Sequence, residues 1–113
     1  MHNLAGSLYQ QGKYTEAEAM NRQTLQLREN ELGRDHLDTL YSMYNLGSLL
    51  HQKGKYREAE VMFRQTLRLR QKVLGEDHPD TLQSMHNLAG SLRQQGKLIK
   101  YFQLKLDRAV RRK

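Results

Sequence analysis

Apolar residues recur along this chain at helical intervals. Between Asp38 and Lys53, the residues Leu40, Met43, Leu46 and Leu50 follow one another at steps of 3, 3 and 4, which lines them along one face of an α-helix. Gly54 comes next, and a glycine just past a helix supplies the left-handed residue that commonly ends one. A second helix is predicted over Tyr56–Leu74. Ala59, Met62, Phe63, Thr66 and Leu67 fall on its inner side, and Glu60 with Arg64 forms an i,i+4 pair on its outer, solvated side. Gly75 closes this helix, and Pro79 and Asp80 open another. Proline suits a first helical position, and an acidic residue there complements the helix dipole. No stretch alternates polar and apolar residues as a strand does, so the expected fold class is all-α.

The helical pattern repeats. Met1-His2-Asn3-Leu4 returns as Met43-Tyr44-Asn45-Leu46 and as Met85-His86-Asn87-Leu88, a period of 42 residues. Residues 1–42 and 43–84 agree at 26 of 42 positions without gaps, and residues 85–97 agree with 1–13 at 12 of 13. Gly12, Gly54 and Gly96 mark one turn of the unit, and Gly33 and Gly75 the other. Residues 1–97 therefore read as a first copy (1–42), a second (43–84) and the start of a third (85–97), each full copy a pair of helices. Residues 98–113 form a divergent basic C-terminal segment. Units of this size cannot bury an apolar face alone and stack on their neighbours. On that reading Leu4, Leu46 and Leu88 are core, as are Met20 and Met62. Tyr14 and Tyr56 pack at the turn between the paired helices.

Composition narrows the reading. A chain of 113 residues is one domain's length. Hydrophobic residues make up 37% and mean hydropathy is −0.88, polar for a globular protein yet too rich in Leu and Met for a disordered one. There is no cysteine, which excludes a disulfide framework and a thiolate zinc site. With no apolar run near the ~20 residues that span a bilayer, and no signal-peptide pattern in the opening residues, a cytoplasmic location is expected. The formal charge of +7 is uneven: residues 1–96 carry 12 Lys/Arg against 11 Asp/Glu, and residues 97–113 carry 7 against 1.

Catalytic patterns are missing. Ser7, Ser42, Ser48, Ser84 and Ser91 lie in helical stretches without a nucleophile elbow, no phosphate-binding loop occurs, and the five histidines follow the repeat period instead of forming a triad. Asp35-His36-x-Asp38 and Asp77-His78-x-Asp80 carry metal-ligand residue types. No further cluster completes a site, and capping a helix is a role open to each of them. Neither enzymatic activity, nor a metal, nor a cofactor is expected.

The runs Asn45-Leu46-Gly47, Gln52-Lys53-Gly54-Lys55-Tyr56 and Glu58-Ala59 resemble the tetratricopeptide repeat. The 42-residue period is closest to the kinesin light chain type, as is the ending Leu69-Arg70 before Leu74-Gly75-Glu76-Asp77-His78-Pro79-Asp80. Similar repeats occur in fungal and bacterial nucleotide-binding sensor proteins. The resemblance covers residues 1–97 and implies a right-handed superhelical array of antiparallel helix pairs. It implies a small residue where paired helices touch, here Ala17 and Ala59, with Tyr101 at the third such position. It also implies a concave groove lined by first helices, where an asparagine hydrogen-bonds the backbone of an extended peptide. Asn3, Asn45 and Asn87 occupy that position, and an amide side chain both donates and accepts as a peptide unit does. A hydrogen bond to a neighbouring repeat is the alternative role.

Beside these asparagines the same stripe carries His2, Gly6, Tyr9 and Gln10 in the first copy. The second copy has Tyr44, Ser48, His51 and Gln52, and the third His86, Gly90, Arg93 and Gln94. The expected function is a protein-interaction scaffold with a protein or peptide ligand. Self-association of a larger array's repeats is the second reading, and a homodimer through an N-terminal face that includes Met1, Leu4, Leu8 and Met20 is a possible assembly. The third reading starts from Lys97, Lys100, Lys105, Arg108, Arg111, Arg112 and Lys113, which with Leu98, Ile99, Tyr101 and Phe102 form a basic amphipathic pattern suited to nucleic acid or anionic membrane. The favoured role of that segment is a cap, with Ile99, Phe102, Leu106, Ala109 and Val110 sharing the covering face.

Overall fold

The computed structural model describes residues 4–96 and 105–108, with side chains from Gly12 onward within those stretches. Four long helices follow one another: α1 (Leu4–Leu32), α2 (Leu37–Gln52), α3 (Tyr56–Leu74) and α4 (Pro79–Gln94). Residues 105–108 are also helical. Consecutive helices pack against each other, and α2 also meets α4. The fold is an all-α array of paired helices. No helix among the described residues is long and apolar enough to cross a membrane.

The turns follow the glycines. Gly54 has a φ of +82°, a conformation that costs other residues because Cβ meets the following carbonyl, and its N–H bonds back to the His51 carbonyl at 3.0 Å. At the two longer turns the histidines act as caps: Nδ1 of His36 accepts from the Asp38 N–H at 3.1 Å and Nδ1 of His78 from the Asp80 N–H at 3.0 Å. Each satisfies a donor that the first turn of a helix leaves free.

The core forms where α2, α3 and α4 meet, from Leu46, Leu50, Ala59, Phe63, Leu67, Met85, Leu88 and Leu92. Helices α2 and α3 approach closely at Gly47, where a Cβ would lie 2.7 Å from Phe63 Cε1. From α1 to α2, and from α3 to α4, an arginine reaches to the start of the next helix. Arg28 Nη1 donates to the Asp38 carbonyl at 3.1 Å and Ser42 Oγ at 2.7 Å. Arg70 Nη1 does the same to the Asp80 carbonyl at 2.9 Å and Ser84 Oγ at 2.8 Å. The two clamps are one repeat apart.

Four expectations are corrected. The first copy is not a helix pair: α1 runs unbroken through Gly12. In α2 the residues Thr39, Leu40, Ser42, Met43, Leu46, Gly47, Leu49 and Leu50 are buried, and residues 1–12 correspond to 43–54 of the next copy. Gly12 lacks the positive φ that Gly54 adopts, so the helical backbone bonds run on through it. Met20 is therefore not core but 67% exposed. Glu60 is not on a solvated side; it is buried, accepting from Arg64 Nε and Gln95 Nε2, each at 2.9 Å. Leu106 is 60% exposed, so it does not cover the last repeat. Arg108 instead lies against the turn between α3 and α4, with Nη2 donating to the Glu76 carbonyl at 2.7 Å and to Asp77 Oδ1 at 3.2 Å. The other residues assigned to the covering face, Ile99, Phe102, Ala109 and Val110, lie outside the described residues.

Candidate groove between α2 and α4

A recess of about 300 Å³ opens between α2 and α4, lined by Tyr44, Ser48, His51, Gln52, Phe63, His86, Asn87 and Gly90. Helical geometry assembles it. Tyr44, Ser48, His51 and Gln52 stand at i, i+4, i+7 and i+8 of α2, one continuous stripe. His86, Asn87 and Gly90 form the facing stripe of α4, and α3 closes the floor with Phe63.

The walls are held in place. Tyr44 leans on Phe63 with ring centroids 6.3 Å apart, and the Arg70 guanidinium sits 5.0 Å from the Tyr44 ring centre, a cation–π arrangement. His51 Nδ1 and Ser91 Oγ share a 3.0 Å hydrogen bond that ties α2 to α4. The other side of the imidazole meets the Tyr56 ring edge-on at 4.9 Å. Burial pushes the Arg70 guanidinium below its ordinary value, with the Asp80 charge opposing the shift.

Of the residues singled out from sequence, the recess gathers Tyr44, Ser48, His51, Gln52, His86, Asn87 and Gly90. Asn45 is half-buried outside the lining. Its counterpart recess would need residues 4–11 beside α2, and these continue the α1 axis instead. Arg93 and Gln94 are exposed beyond the recess. His2 and Asn3 lie outside the described residues, as do the side chains of Tyr9 and Gln10. Phe63 was read from sequence only as core. The one signal against that reading is that its first-copy counterpart is Asn21, a change the other inner positions of the helix do not show.

A second polar cluster secures the turn beneath the recess. The Glu18 carboxylate accepts from Lys53 Nζ at 2.7 Å, Arg22 Nε at 3.0 Å and Lys55 Nζ at 3.4 Å. These bonds, that of Lys53 foremost, hold its pKa at about 2 instead of 4.5, although burial works the other way. A carboxylate lowered on folding stabilises above its unfolded pKa and loses that contribution as pH falls through the folded one. The parent is therefore expected to exceed Glu18→Gln in stability by roughly 1–2 kcal/mol at neutral pH. Urea unfolding across a pH series should show the gap closing between about pH 4.5 and pH 2; a gap independent of pH would assign the effect to packing.

Among the described residues no three His, Asp or Glu side chains form a group able to hold a metal ion. A comparison with curated proteins finds no match. The family model of the tetratricopeptide repeat matches residues 1–72 and 62–100, spanning the three turns between the described helices, both arginine clamps and the walls of the recess. A period of 42 residues, helices paired across glycine turns and this match lead to one assignment: the chain belongs to the tetratricopeptide repeat family.

Proposed function

We propose that the chain is a non-enzymatic scaffold that captures an extended peptide, or an extended segment of a partner protein, along the α2–α4 groove. Tetratricopeptide repeats generally mediate protein–protein interaction. The observation that carries the narrower reading is the half-buried Asn87 in the wall of a recess otherwise lined by aromatic and polar side chains. Its amide can donate to a peptide carbonyl and accept from a peptide N–H, while the floor beside Phe63 and Tyr44 takes an apolar side chain. The 42-residue period supports a kinesin light chain-like type, shared with fungal and bacterial nucleotide-binding sensor proteins. The cytoplasm is the proposed compartment, in keeping with a chain that carries no cysteine.

A peptide array probed with the intact chain supplies the ligand for the test. Asn87→Ala is expected to weaken that ligand by about 1 kcal/mol or more, with helicity and melting temperature unchanged. Asn45→Ala, outside the recess, is expected to leave affinity near the parent's. Loss of stability in step with affinity would make Asn87 structural and remove the observation on which the reading stands.

Self-association through α1 is the second reading. Met20 is 67% and Leu27 59% exposed, on a helix whose counterpart α3 is covered on both sides. Sedimentation over a hundredfold concentration range tests it: a dimer is expected, and a monomer throughout would end the reading.

A further inference from the structure

The motif Gln-x-Gly-Lys-Tyr occurs as residues 10–14 and again as residues 52–56. In the second occurrence it is a turn with Gly54 at φ +82°. In the first it is helix, Gly12 is not among the positive-φ glycines, and nothing lies within 4 Å of where its Cβ would stand. One sequence thus adopts both the bent and the straight form, as a hinge does.

The straight form leaves a specific surface open. On one side α1 makes the same inter-unit contacts as α3, including the arginine clamp. On the other side α3 is covered by α2, with the Cβ position of Gly47 only 3.3 Å from Met62 Cβ. The matching residue of α1 is Met20, 67% exposed. What covers α3 is the segment 46–53, and the chain carries its counterpart at 4–11, Leu4-Ala5-Gly6-Ser7-Leu8-Tyr9-Gln10-Gln11. That segment lies on the far side of Gly12, continuing the α1 axis for about 12 Å at 1.5 Å per residue, where it cannot reach its own Met20. The sequence is fitted for such a contact. Gly47 leaves no room for a Cβ because Phe63 occupies the space; in the first copy alanine replaces the glycine as Ala5, and the smaller Asn21 replaces the phenylalanine.

We infer that two copies of the chain exchange residues 4–11 across the hinge at Gly12, each segment packing antiparallel on the Met20 side of the other copy's α1. The two α1 helices then cross near Gly12 about a two-fold axis, so the contact is isologous and closes as a dimer. This rests on the self-association reading and specifies how the contact is built.

The chain has no cysteine of its own, which makes a pair of introduced thiols selective. By the Gly47–Met62 geometry, residues 5 and 20 of an exchanged pair stand near the Cβ separation of roughly 3.5–4.5 Å that a disulfide needs. The single variants Ala5→Cys and Met20→Cys, each checked for parental helicity, are unfolded together, refolded and mildly oxidised. The expected result is a crossed covalent dimer as the main oxidised species, with the double variant Ala5→Cys/Met20→Cys also running as a dimer. An internal disulfide that leaves the double variant monomeric would overturn the exchange, because the hinge would then be closing within one chain. No disulfide in a chain that still sediments as a dimer would overturn the exchange and keep self-association. No disulfide in a monomer would overturn both.

Discussion

Phe63→Ala is expected to lose about 3–5 kcal/mol of folding stability, the range for truncating a fully buried aromatic ring. Phe63 is 1% exposed and touches several parts of the fold. Its ring edge fills the space a Cβ would need at Gly47, its face meets Tyr44, and it belongs to the cluster shared by α2, α3 and α4. The cavity cannot collapse easily, because Gly47 offers no side chain to move in and Leu46, Leu67 and Leu88 are held by their own neighbours. Truncation also removes the floor of the recess, so peptide affinity is expected to fall further than the Asn87→Ala loss. Urea unfolding followed by circular dichroism measures the first effect. A variant within 1 kcal/mol of the parent would mean that α2 and α3 do not meet through this ring.

Arg70→Ala is expected to cost roughly 2–4 kcal/mol. Arg70 is 4% exposed, and its removal leaves Ser84 Oγ, in a residue of 0% exposure, and the Asp80 carbonyl without their donor. The buried Ser84 hydroxyl left without its partner costs about 1–3 kcal/mol. The guanidinium also stacks on Tyr44, so the recess loses a wall support. Arg70→Lys restores the charge but not the planar fork, and it is expected to recover less than half of the loss. Arg28→Ala makes a useful contrast: the same bonds occur, but Arg28 is only half-buried and its loss is expected to be smaller. Equal losses at both positions would show that burial does not set the strength of the clamp.

The sequence and the structure agree best where local signals and long-range packing coincide. The bounds Tyr56–Leu74 read from the pattern are those of α3, and the helix read from Asp38 to Lys53 is α2 displaced by one residue at each end. There the glycines, the apolar spacing and the repeat all favour one answer. At Gly12 they do not. Its local sequence is close to that of Gly54, yet the helix continues through it, a difference no turn motif contains. The burial of Glu60 was equally hidden, since helical spacing cannot show that Gln95, 35 residues away, will donate to it. Both walls of the recess were legible as a stripe on the first helix of each unit. Its floor was not, because Phe63 serves core and groove at once and periodicity reports only the core.

The arginine clamps bear on how such a protein changes length. Each clamp places its donor in one helix and its acceptors at the start of the next, at a constant offset of 14 residues between arginine and serine. Duplicating a 42-residue unit of the repeat therefore keeps the clamp arginine opposite a serine and a backbone carbonyl. It also adds one more pair of facing stripes. An array built this way lengthens by copying alone, without waiting for a new interface to be selected. The added groove segment is then free to diverge while its scaffold is already satisfied.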